Sequence, residues 1–454
     1  MIKEANIKKH ILEGPVFRSI LIISVPVIIA NLFQTVYQLI DTFWVGRLGT
    51  SAVASVSLSI PILFFLTSLA MGFSIAGSIL IAQHNGRGEK EKVNFIAGQT
   101  LSLVFVIATI LAIIGYFLSH FLLSFLTKDP IVLTQATSYL KISFLAILAM
   151  FIYNIFQASL RGVGEVKAPM IIIFISVVIN FFIDPLFMFG WRFIPAMGVS
   201  GVALATLITE YLSAIIGIVL LFRGSYGISL KLKYLKLKLS WAKKIFKLGL
   251  PIAIEMSSRS LSMVLMTFLV SSFGTLIIAS YGIGSRMLGF IIIPALGFSI
   301  ATSSLVGNNL GAKQHSRAEE IVKTGMGIAF WTLSALGILL FIFAKSLAEF
   351  FVPNEPQLIL SSARFIRIMA LSFGFIGVQM VVIGTIKAAG RTTVSMFLSL
   401  FSVTFVLALS YLLSIVFKLQ ELGIWIAYPI TNIVSAGIAF YFYKKKKWLN
   451  KKLV

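Results

Sequence analysis

The chain has no cysteine and only four histidines, His10, His84, His120 and His315, which are scattered without any metal-binding spacing. Disulfides and thiolate metal sites are thereby excluded, and the imidazoles compose no metal centre. Acidic residues are also few, 15 against 38 Lys and Arg, and all four charged types together make up 12% of the sequence. The glycine-bearing stretches RGVGE (161–165) and NGRGE (85–89) are short turns rather than phosphate-binding loops. No enzyme motif is present, so neither an enzymatic activity nor a cofactor is expected.

What the sequence does have is apolar length. Hydrophobic residues make up 58% of its 454 positions, and the mean hydropathy is +1.00. An α-helix needs about 20 apolar residues to cross about 30 Å of hydrocarbon. Twelve runs meet that requirement, near 17–44, 53–82, 93–119, 136–160, 168–190, 198–222, 245–271, 277–306, 319–343, 358–385, 393–417 and 423–443. An all-α integral membrane protein follows, since a helix satisfies its own backbone in lipid. The opening MIKEANIKKHILEGP is charged and amphipathic and lacks the apolar core and small-residue site of a cleaved signal, so the first run is expected to stay in place.

A net charge of +23 is in itself compatible with nucleic-acid binding, but its distribution argues otherwise. With both termini on one side, the terminal segments and even loops carry about 26 basic residues, against five in the odd loops: Arg47, Lys128, Arg192, Lys345 and Lys418. That bias predicts cytoplasmic termini in the cell (inner) membrane. The densest clusters, Lys231 to Lys244 and Lys444 to Lys447, would face anionic membrane lipids. Nucleic acid is not an expected partner.

The sequence also repeats. ISVPVIIANL (23–32) answers LGLPIAIEMS (248–257), and GFSIAGSILIAQHNG (72–86) answers GFSIATSSLVGNNLG (297–311), both at an offset of 225. SLRGVGEVK (159–167) answers TIKAAGRTT (385–393), and Lys141 answers Arg367, at 226. One register held across six helices implies two pseudo-symmetric six-helix bundles. We expect an N-lobe at 1–222, a basic cytoplasmic linker at 223–244 and a C-lobe at 245–454 with its basic tail. Paired bundles of this kind suit alternating-access transport, although a duplicated bundle with no transport role has the same sequence signature.

The halves differ in their acids. Asp41 aligns with Met266, Asp184 with Ser410, Asn180 with Val406 and Tyr37 with Ser262. Gln34, Tyr37 and Asp41 share one helical face (i, i+3, i+7), and Ser176, Asn180 and Asp184 another (i, i+4, i+8). A carboxylate in a membrane helix costs about 2.5–3.5 kcal/mol on insertion scales, so it usually faces inward with a partner or a task. With Thr206 on the sixth run, these groups would offer a proton or Na⁺ site of hard oxygen ligands. Helix capping is the competing reading, most plausibly for Asp184 before Pro185. Asn154 and Gln157 on the fourth run, with Gln34, Tyr37, Ser176 and Asn180, are candidates for substrate contacts. Pro26 interrupts the hydrogen-bond ladder of the first run, as Pro251 does in the seventh. Glu255 and Arg259 are expected to pair as i, i+4 neighbours.

The segments NLFQTVYQLIDTFWVGRLG, LRGVGEVKAPM and NFFIDPLFMFG, with the Pro26–Asp41 spacing, resemble the multidrug and toxic compound extrusion (MATE) family, in particular its DinF-like branch. The resemblance spans essentially the whole chain. It implies a secondary active exporter of amphipathic, often cationic small molecules driven by H⁺ or Na⁺, expected here to act as a monomer. By motif, the cation site falls on Asp41, Asn180, Asp184 and a threonine assigned to Thr206, with Tyr37 and Gln34 beside it and Pro26 as a bending point. A lipid-linked oligosaccharide or polysaccharide flippase of the same superfamily is the alternative. Such a protein would need several mid-membrane bases, for which Arg259 and Arg286 are the candidates.

Overall fold

A computed structural model describes residues 10–449. The first nine residues of the charged N-terminal segment and the last five of the basic tail lie outside the described residues. The twelve apolar runs appear as α1 (Val16–Gly46), α2 (Thr50–Gly86), α3 (Lys90–Ser124), α4 (Pro130–Gly162), α5 (Lys167–Phe189), α6 (Val199–Arg223), α7 (Leu239–Ser271), α8 (Thr275–Gly311), α9 (His315–Ile342), α11 and α12 (Pro356–Ala370, Phe373–Ala388), α13 (Thr392–Tyr411) and α14 (Gln420–Lys444). A short helix, α10 (Ala344–Phe351), sits between α9 and α11, where no element was expected. Eleven helices are long and apolar enough to cross a membrane by length and composition, or twelve when α11 and α12 count as one bent span.

Most helices overrun their apolar runs, because polar residues at the ends continue the backbone ladder outside the hydrocarbon. α2 thus extends through Gln83, His84 and Asn85. Starts and stops follow local chemistry. Asp129 caps α4 by accepting from the Ile131 and Val132 amides at 2.8 and 3.2 Å, with Pro130 in the first turn, where its missing N–H is harmless. Gly49 and Gly274, equivalent in the repeat, precede α2 and α8 with φ of 104° and 95°, a conformation that only glycine adopts without strain.

The run at 358–385 departs from expectation. It divides into α11 and α12, bent by 50°. Ser372 at the break donates to the Met369 carbonyl (2.9 Å), accepts from the Asn432 amide (2.9 Å) and is followed by Gly374, the kind of serine–glycine pairing that kinks helices.

The described chain divides into two compact units, residues 29–253 and residues 10–28 with 254–449. α1 contributes to both, changing membership two residues after Pro26. α7 does the same two residues after Pro251. In the first unit α4 packs against α2, α3 and α6, and α5 packs against α6. The second unit repeats the plan, with α12 against α8, α9 and α14 and α13 against α14. The 225-residue repeat is therefore a repeat of packing.

The basic stretch before α7 is strapped onto α3 within the first unit. Buried Gln99 donates to the carbonyls of Tyr234 (2.8 Å) and Lys236 (2.9 Å) and accepts from the Lys238 amide (2.7 Å). Ser102 donates to the Leu235 carbonyl (2.8 Å), and the Ser229 amide donates to Asn94 (2.8 Å). Gly98 makes room for the strap, since a Cβ there would lie 2.8 Å from the Tyr234 carbonyl oxygen.

Candidate cation site in the first unit

α5 and α6 bring most of the site together. Gly201 on α6 approaches the end of α5 so closely that a Cβ would lie 2.4 Å from the Phe187 carbonyl oxygen. The two helices meet again about three turns further along. Ser176 on α5 and Ser213 on α6, both buried, share a 2.5 Å hydrogen bond. Between these contacts the two helices present Asn180 and Asp184, each fully buried, and Thr206, Thr209 and Glu210.

Asn180 Nδ2 donates to Asp184 Oδ1 at 3.0 Å. Asp184 lies inside α5, which continues through Pro185 to Phe189, and Asp41 lies inside α1, so neither aspartate is a terminal cap. Tyr37 on α1, 4% exposed, reaches α6 through a 2.6 Å hydrogen bond with Thr209. The Asp41 carboxyl has Asp184, Asn180 and Glu210 as electrostatic neighbours. Tyr139 on α4 is within charge reach of Asp41 and Asp184.

The polar atoms left over define what the site can hold. Asp41 Oδ1, Asn180 Oδ1, Asp184 Oδ2, Thr206 Oγ1 and Glu210 Oε2 are buried without a hydrogen-bond partner, and all five are oxygens. Among the described residues none of the three carboxylates forms an ion pair. Unpaired buried charge is unstable in a protein interior, so such a cluster calls for protons or a hard cation. The oxygen-only donor set fits Na⁺ as well as H⁺.

The second unit has no such cluster at the equivalent positions. Met266 (1% exposed) and Val406 (8%), the counterparts of Asp41 and Asn180, belong to its hydrophobic core with Phe365 and Trp425, and the counterpart of Asp184 is buried Ser410. Its own buried acid, Glu255, is differently arranged. The expected Arg259 contact is present at 3.5 Å, but the nearer partner is Lys387 at 2.8 Å, and Ser395 donates to the other oxygen at 3.3 Å. Lys387 reads as a loop base in sequence, yet it is only 7% exposed.

The remaining candidates stand apart in various degrees. Gln34 is half-buried one turn before Tyr37. Asn154 donates to the Met150 carbonyl of its own helix at 2.9 Å. Gln157 accepts from Arg161 and neighbours Tyr153, which is itself within charge reach of Glu210. Thr209, Ser213 and Tyr139 were not singled out from sequence. The spacing Thr206, Thr209, Glu210, Ser213 (i, i+3, i+4, i+7) is the signal that marks one polar face on α6.

Comparison with known proteins bears on the whole chain. The MatE family profile matches it twice, over 26–186 and 251–412, with starts 225 positions apart, as in the internal repeat. The chain belongs to the MatE family. It is a membrane transporter and not an enzyme. Among similar proteins, the probable multidrug resistance protein YoeA of Bacillus subtilis is 28% identical, with 96% of each chain covered. The probable multidrug resistance protein NorM of Thermotoga maritima is 26% identical, covering 96% of this chain and 94% of its own. A solved structure described as the outward-facing conformation of a multidrug resistance MATE family transporter matches the MatE fold seen here with a TM-score of 0.90, at 23% identity over 98% of both chains.

Proposed function

We propose that this MatE protein is a secondary active multidrug exporter that extrudes amphipathic, often cationic organic compounds in exchange for H⁺ or Na⁺. It works by alternating access, as a monomer, in the cell membrane with both termini cytoplasmic. The observation that carries this reading is the cluster of five unpartnered buried oxygens on α1, α5 and α6. The names of the relatives and the DinF-like motifs support the same class, and the bias of basic residues toward alternate loops supports the orientation.

In this scheme Asp41 and Asp184 carry the coupling charge. Asn180 orients Asp184, Thr206 adds a neutral oxygen, and Tyr37 ties α1 to α6 through Thr209. Gln34, Asn154, Gln157 and Ser176 are assigned to substrate contacts, and Pro26 to bending of α1. No observation favours the flippase reading. Arg259 is committed to Glu255, and Arg286 stands over the Phe351 ring at 5.8 Å.

The test is dye efflux from proteoliposomes under an imposed Na⁺ or pH gradient, applied one at a time. Wild type should export under one of the two, and Asp41→Asn and Asp184→Asn should each abolish gradient-driven export. Export that survived loss of both aspartates would refute the coupling site.

A further inference from the structure

The second unit contains a surface cavity of about 580 Å³ where α9 ends, α10 begins, and α11 and α14 meet. Lys345, Arg364 and Arg367 line it, with Glu421 as the single acid. All three bases are exposed, and among the described residues none forms an ion pair. The position is unexpected on charge grounds, because this is the side whose loops are otherwise poor in bases.

The repeat separates scaffold from site. Arg367 lies over the Phe341 ring at 5.8 Å and donates to the Phe341 carbonyl at 3.4 Å. Its counterpart Lys141 lies over Tyr116, the counterpart of Phe341, at 5.3 Å. That cation–ring pair occurs in both halves and belongs to the shared architecture. Lys345 and Arg364 do not share this origin, because their counterparts are His120 and Ser138. Snorkelling accounts for single cations at helix ends. It does not account for three around one cavity.

The rest of the lining is apolar. Leu360, Leu371 and Phe341 are 63%, 71% and 42% exposed, and so available to hydrocarbon. Trp425 also lines the cavity, and its buried indole N–H has no acceptor. A ligand complementary to this surface has a compact anionic head with acceptor oxygens, attached to apolar chains.

We propose that the cavity is a binding site for an anionic phospholipid. The phosphate sits among Lys345, Arg364 and Arg367, and the acyl chains lie along Leu360 and Leu371. Guanidinium groups suit phosphate through parallel N–H donors, and each base near a membrane surface adds attraction worth roughly five-fold in affinity.

The test is native mass spectrometry of the purified full chain in neutral detergent, with phosphatidylglycerol, phosphatidylcholine and inorganic phosphate added in separate arms. Wild type should retain phosphatidylglycerol in preference to phosphatidylcholine. Lys345→Gln with Arg364→Gln should weaken that retention by about 30-fold, whereas Arg364→Lys and the distant control Lys128→Gln should keep it. Circular dichroism of each variant identifies any that fails to fold. Equal retention of both lipids, or unchanged retention in the Lys345/Arg364 variant, would overturn the proposal. Displacement of phosphatidylglycerol by inorganic phosphate at equal concentration would show a soluble-anion site and would overturn the lipid assignment.

Discussion

Replacing Lys387 by methionine should expose the cost of a buried carboxylate. In the native protein Lys387 Nζ lies 2.8 Å from Oε1 of Glu255, whose side chain is fully buried. At an effective dielectric of about 20 that attraction is about 6 kcal/mol gross, much of it offset by the desolvation of both ions. The net worth of the pair is therefore small. Removing one member is different, because it takes the nearest counter-ion from a fully buried carboxyl group, a change that usually costs about 3–5 kcal/mol. Arg259 remains 3.5 Å from the same oxygen with its head partly exposed, and Ser395 still donates to the other. The expected loss for Lys387→Met is therefore at the lower end, about 3 kcal/mol. The double variant Lys387→Met/Glu255→Gln, with charge removed from both sides, should return to within about 1 kcal/mol of wild type. The assay is the unfolding midpoint of purified protein in detergent at fixed salt. A single variant as stable as wild type would mean that Arg259 alone neutralises Glu255. A double variant no more stable than the single would refute the assignment of the loss to unpaired charge.

Three further outcomes are expected. Gly201→Ala puts a methyl group 2.4 Å from the Phe187 carbonyl, so it should cost about 1–3 kcal/mol by overpacking and lower export by displacing Thr206; Gly46→Ala, with nothing within 4 Å, should change neither unfolding midpoint nor efflux. Gln99→Ala removes three hydrogen bonds to the strap, each worth about 0.5–1.5 kcal/mol, and should make trypsin cleave within Lys231–Lys244 much faster than in wild type. Hydrogen bonding to His84, reinforced by Lys92, holds the Glu89 carboxyl below its ordinary value. Its contribution to stability is thus present at neutral pH and lost as pH falls through the carboxylate range, and Glu89→Gln should flatten that part of the pH–stability curve.

The membrane spans and the duplication were legible because both are written in long, redundant patterns. Some twenty apolar residues per span, and one register held over six spans, survive many local irregularities. The asymmetry of Asp41, Asn180 and Asp184 was legible for another reason: polar groups are conspicuous against lipid, and the second half supplies an internal control. Contacts between distant positions were not legible. Nothing near Glu255 in sequence points to Lys387, 132 residues away and grouped by composition with the loop bases. The hydrogen bond between Tyr37 and Thr209 depends on how α1 and α6 are rotated about their axes, to which sequence spacing is blind. The bend between α11 and α12 was hidden inside an unbroken apolar run, where Ser372 looked like one more small residue.

The strap on α3 bears on how the chain can be divided for experiments. Composition suggests that residues 223–244 are a tether, and hence a natural place to express the two halves as separate polypeptides. A cut at 222 would leave the first fragment with Gln99 facing water in place of the carbonyls of Tyr234 and Lys236, and would strand ten residues of its covering on the other fragment. For reassembly from two pieces, the first should run past Lys238, so that it carries its own fastening.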